Sequence, residues 1–117
     1  MDSTADKKIA YLKIVALFED TLKEAEEIVK HYTSAKKRYK DYWLEAEHLA
    51  EAYGDTEMGK AERWRAEIAK KFFDRICEEC RYANLFRDDW KASVASLKKN
   101  ENLFIETSET EESGGYN

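Results

Sequence analysis

Read in alternating steps of four and three, the chain meets Tyr11, Val15, Phe18, Leu22, Ala25, Val29, Tyr32, Lys36, Tyr39, Trp43, Ala46, Ala50 and Tyr53. Lys36 alone breaks this apolar and aromatic column. Such steps average 3.5 residues, which keeps one stripe of an α-helix facing a single partner. The phase never slips, so the pattern predicts one continuous helix from about Thr4 to Tyr53. A second column, Ile14, Ile28, Ala35, Tyr42 and Leu49, with Thr21 as its polar member, widens the stripe. Ser3 and Asp6 stand at capping-box spacing at the start, and Asp2 and Asp6 suit the positive end of a helix. Helix propensity is lowest at His31-Tyr32-Thr33-Ser34. A break near 31–34 is the alternative, and it would turn the fold into a three-helix bundle.

Tyr53-Gly54-Asp55-Thr56 is the one clear turn. Gly54 can take the left-handed conformation that ends a helix, and Asp55 or Thr56 can cap the next. So short a connection folds the second helix back antiparallel. That helix is expected over about 57–99. Its apolar positions are Ala61, Trp64, Ile68, Phe72, Ile76, Cys80, Ala83, Phe86, Trp90, Val94 and Leu97. They recur every 3.6 residues, a looser period that predicts a stripe wrapping slightly around its partner. With the turn near residue 55, residue i should lie opposite residue 110 minus i, to within about one helical turn. Asn100-Glu101-Asn102 reads as the helix end. Residues 101–117 read as an acidic disordered tail with one apolar cluster, Leu103-Phe104-Ile105, poised either to pack back or to serve as a docking motif.

Composition supports an all-α reading: 117 residues with no proline and four glycines make one helical domain over 1–100. The expected fold is a long antiparallel helical hairpin. Fifteen aromatics and stripes wider than one partner helix can cover predict that two hairpins join as a homodimer, a four-helix bundle. A net charge of −5 argues against a general nucleic-acid binder. The N-terminal apolar run is broken by Lys13 and lacks a signal-peptide pattern. No stretch approaches a membrane span. Two cysteines three apart make no disulfide framework, so the expected compartment is a reducing cytoplasm, that of a host if the chain is viral.

Three constellations invite chemistry. Cys77 and Cys80 would lie near His31, a partial zinc set, although a C-x-x-C inside a helix lacks the usual knuckle and small core cysteines are the plainer reading. Glu45 and His48, with Glu62 facing them, match the carboxylate–imidazole spacing of di-iron bundles, but they sit beside the turn on an acidic face. The third is a basic belt with interleaved rings. Residues 30–43 carry Lys30, Lys36, Lys37, Arg38 and Lys40 against Asp41, a net of +4. Residues 63–75 carry Arg63, Arg65, Lys70, Lys71 and Arg75 against Glu67 and Asp74, a net of +3. Between them, residues 44–62 hold six acids and Lys60, a net of −5. The expected register sets the two basic segments side by side.

No nucleophile–histidine pair and no phosphate-cradling glycine loop is present, so neither an enzyme nor a cofactor is expected. The expected function is protein–protein interaction through an aromatic helix face, as in a small adaptor or inhibitor of the kind phages and viruses encode. The partner-binding residues would be Tyr32, Lys36, Lys37, Arg38, Tyr39, Tyr42, Trp43, Trp64, Lys70, Lys71 and Arg75. The alternatives are a nucleotide or nucleic-acid binder using the belt and a metal-binding bundle.

Overall fold

The computed structural model describes residues 3–105. Two long helices fill them, α1 (Thr4–Tyr53) and α2 (Glu57–Lys99), and the described residues hold no strand. The helices pair antiparallel as a hairpin. The capping box forms at the start: the Asp6 amide donates to Ser3 Oγ at 3.1 Å, and the Ser3 amide reaches Asp6 Oδ2 at 3.5 Å. α1 runs unbroken through His31–Ser34, so the three-helix alternative does not hold. The Thr33 hydroxyl donates to the Val29 carbonyl at 2.8 Å, which satisfies this weak helix former inside the helix.

The turn is built by two glycines with different duties. Gly54 sits at φ +57°, where a side chain would be strained. Gly59 has ordinary backbone angles, but a Cβ there would intrude on the Gly54 carbonyl oxygen and come within 3.0 Å of its carbon. Thr56 caps α2: its hydroxyl accepts from the Gly59 amide at 3.1 Å and donates to the Tyr53 carbonyl at 2.9 Å. The Arg63 guanidinium donates to the Gly54 carbonyl at 3.1 Å and reaches Asp55 at 3.8 Å, tying the loop to α2.

The first column predicted for α1 is the buried one, except Lys36 and Tyr53, which are exposed. The column predicted for α2 is corrected. Ala61, Trp64, Ile68, Phe72 and Phe86 are exposed, whereas Gly59, Ala66, Ala69, Phe73, Ile76, Cys80, Ala83, Trp90, Val94 and Leu97 are buried or half-buried. With half-buried Glu62, Arg87 and Glu101, these positions run from 59 to 101 in strict steps of three and four. Both helices therefore carry the same 3.5-residue seam, and the 3.6-residue column crosses that seam rather than following it.

The chain divides into two compact units, Met1–Glu26 with Phe86–Asn117, and Glu27–Leu85. In the first, Tyr11, Val15 and Leu97 form a buried cluster with Phe18 against it. The Tyr11 hydroxyl donates to the Leu97 carbonyl at 2.7 Å, and Phe18 meets Trp90 edge-on at 5.3 Å between ring centres. Burial, then the nearby Glu101 carboxylate, raises the Tyr11 pKa above its usual 10.0, with Lys98 opposing. After a turn at Asn100, residues 101–105 form one more helical turn, so the chain stays helical past the expected end. The Phe104 ring lies 5.9 Å from Tyr11, while Leu103 and Phe104 stay exposed and Ile105 is half-buried. The rest of the expected tail, 106–117, lies outside the described residues.

In the second unit the most buried seam residues are small: Ala46, Ala50, Gly59, Ala66 and Ala69, with Val29 and Cys80. Small residues let helix backbones approach closely, and large rings at neighbouring seam positions then have no room between the helices. The rings slide out sideways. Tyr39 reaches Phe72 at 5.8 Å and Trp43 reaches Phe73 at 5.7 Å, all but Phe72 only half-buried. Glu45–Arg65, Tyr39–Phe72 and Tyr32–Glu79 pair within a residue or so of the expected register.

Candidate functional site

The extruded rings give the turn-proximal unit two unlike grooves. One, about 340 Å³, is lined by Tyr39, Tyr42, Arg65, Ile68, Ala69 and Phe72. It is aromatic and aliphatic, with one guanidinium at its edge. The other, about 390 Å³, is lined by Trp43, Glu47, Ala50, Glu51, Arg63, Ala66, Glu67 and Lys70. It is charged, with three carboxylates beside two cations.

The seam explains the split. On α1, Ile28, Ala35, Tyr42 and Leu49 each precede a seam residue and repeat every seven. This is the second column, and it flanks the seam on one side. On α2, Met58, Arg65, Phe72 and Glu79 hold the equivalent flank. In an antiparallel pair these two flanks meet on the same side. Tyr42 is 48% exposed, Phe72 49% and Ile68 41%, and the Tyr39 and Tyr42 rings stand edge-on 5.7 Å apart. Clustered half-exposed aromatics on one side of a helix pair mark an association surface more than scattered ones do. Trp64, 68% exposed, lies one turn before Ile68 and farther round α2.

On the other flank Trp43 is already engaged. Its indole N–H donates to Glu47 Oε1 at 2.6 Å, and the Lys70 ammonium stands 5.5 Å over its ring. The basic belt therefore does not gather into one patch. Lys70 and Arg63 border the charged groove, Arg65 the aromatic one, and Arg75 pairs with Glu79 at 3.4 Å. Lys36, Lys37, Arg38 and Lys71 are exposed. Tyr32 is half-buried beside His31. The Glu79 carboxylate, followed by burial and the hydrogen bond to Glu79, raises the Tyr32 pKa above 10.0.

The candidate metal donors are not brought together. Arg65 lies 2.7 Å from Glu62 and 3.6 Å from Glu45, so a guanidinium occupies the place a metal would need between these carboxylates. The hydrogen bond to Glu62 is the main reason the Arg65 pKa is raised. Cys80 is buried and Cys77 half-buried; Asn84 donates to the Cys80 carbonyl at 2.8 Å and approaches its sulfur at 3.5 Å. His31 and His48 are exposed. Among the described residues, no three His, Cys, Asp or Glu side chains are grouped to hold a metal. No described helix is long and apolar enough to cross a membrane.

The reading from sequence named Tyr39, Tyr42 and Trp64 but missed Ile68 and Phe72 as surface residues, because it counted them as core. Only the small residues Ala66 and Ala69, set at 3.5-residue steps, signal where the α2 seam runs. No known protein family, curated protein or solved structure matches this chain.

Proposed function

We propose that this chain is a non-enzymatic association module that lays the Tyr39–Tyr42–Ile68–Phe72 face against a protein surface. One observation supports this above the others: the two flanks of the hairpin differ, one aromatic and half-exposed, the other lined by charges of both signs around a Trp43 held by Glu47 and Lys70. An apolar face with aromatic anchors and arginines nearby has the composition of an interface centre with a polar rim. The mixed signs around Trp43 give a phosphate no unopposed cluster of cations, so the nucleotide reading draws less support.

The test is affinity capture from the native cell with identification of what co-purifies, comparing wild type with two variants whose helicity is checked first. Phe72→Asp should abolish capture. Lys37→Glu with Lys71→Glu should leave it intact, as should salt near 0.5 M, which screens surface charges but does not weaken apolar contact. Loss with salt and with the lysine pair, together with retention in Phe72→Asp, would replace this reading with belt-driven phosphate binding.

A further inference from the structure

We infer that a second copy of this chain occupies the aromatic face, docked antiparallel about a two-fold axis at the level of Tyr42 and Ile68. The inference rests on the association reading and names its occupant. Charge along the turn-proximal unit supplies the argument. The two basic segments, 30–43 and 63–75, lie alongside one another in the hairpin register, and the acidic segment 44–62 covers the turn end.

Two hairpins can pack this face symmetrically in two ways. With the two turns at the same end, basic belt lies on basic belt and acidic end on acidic end, and like charges oppose assembly. With the turns at opposite ends, the α1 belt of each copy lies on residues 44–54 of the other copy's α1, so like charges face each other along α2 alone instead of along both helices. An axis at Tyr42 lets the seven-residue repeat of α1 mesh with itself. Tyr42 then meets its own equivalent, Ala35 faces Leu49, and Arg38 comes within a residue of Glu45 in the other copy. On α2 the same axis sets Ile68 against its equivalent and Phe72 near Trp64. Glu45 is 61% exposed and held by Arg65 only at 3.6 Å, so it is open to a second cation. Ile28, Tyr42, Ile68 and Phe72 offer on the order of 400 Å² of exposed apolar side chain, about half of what a standard interface buries per partner. Arginine and lysine stems extend it.

The test combines sedimentation equilibrium with cross-linking in a Cys77→Ser, Cys80→Ala background. Wild type should be a dimer. Arg38→Glu should weaken dimerisation about tenfold, and adding Glu45→Arg should restore it to within about threefold, since each swap now faces the other. Tyr42→Cys alone should oxidise to a covalent dimer in high yield. A dimer that Phe72→Asp dissociates but that Tyr42→Cys does not cross-link overturns the antiparallel register and leaves the association reading standing. A chain that stays monomeric at about 1 mM overturns self-association, and capture by the wild type but not by Phe72→Asp then shows that the face still binds a different protein. Monomers together with capture indifferent to Phe72→Asp overturn both.

Discussion

Alanine at position 59 is the sharpest perturbation the hairpin offers. Glycine in a helix interior costs about 1 kcal/mol relative to alanine, so helix propensity alone expects Gly59→Ala to stabilise the protein. The turn reverses that expectation. The new methyl would press on the carbonyl of Gly54, which is backbone and cannot swing aside. Relieving the clash moves the loop away from α2, and overpacking of this kind costs about 1–3 kcal/mol. The same movement loosens the Gly59 amide from Thr56 and Arg63 from the Gly54 carbonyl, and losing a cap adds about 1 kcal/mol. The net expectation is a loss of about 1–3 kcal/mol. Gly54→Ala fails for another reason: it meets open space but keeps the left-handed backbone, a cost of about 1–2 kcal/mol. Asparagine, which tolerates that conformation, should recover most of the loss at 54 and none at 59. Urea denaturation at one fixed protein concentration measures all four variants against wild type. Gly59→Ala at or above wild-type stability would refute the close approach and, with it, the register that sets Tyr39 beside Phe72.

Other outcomes follow from the two units. Leu97→Ala should cost about 2–3 kcal/mol in the same assay, near the low end for core leucines because a single seam collapses easily around the gap. Ala69→Leu should cost about 1–3 kcal/mol by forcing the alanine-spaced helices apart, and it should alter near-ultraviolet dichroism as the Tyr39 and Phe72 rings shift. Tyr11 and Tyr32 both have raised pKa values in the folded chain, so the neutral phenol is the form folding favours. That contribution is complete below the unfolded tyrosine value of 10.0 and is lost as pH rises through the higher folded values, so stability should fall on the alkaline side. Ultraviolet titration of Glu79→Gln should bring Tyr32 back toward 10.0, because Glu79 is its leading cause; an unchanged curve would contradict that.

How much of this was legible beforehand differs between the two helices. In α1 the seam carries enough large residues, Tyr11, Val15, Phe18, Val29 and Trp43, for periodicity to find the helix and its face, although Ile14, Ile28 and Tyr42 of the flanking column are exposed. In α2 bulk and burial part company. Ala66 and Ala69 are small and buried, while Trp64, Ile68 and Phe72 are large and exposed, and a reading weighted by size followed the latter off the seam. The antiparallel register was legible because one glycine turn fixes it. Which cations share a groove was not, since Lys70, Arg65 and Lys71 are close in sequence yet point to different sides of one helix. Arg65 between Glu62 and Glu45 was equally hidden, because only the register and the side-chain reach together place it there.

Among the described residues no large side chain is completely enclosed, and alanine carries much of the seam. Melting an isolated copy therefore wets little new hydrocarbon, and the heat-capacity step, which scales with that area, is small. Its stability curve is shallow and broad, changing slowly between cold and warm conditions. Calorimetry would record a low, wide endotherm where a protein of this length with a dry interior gives a tall, narrow one.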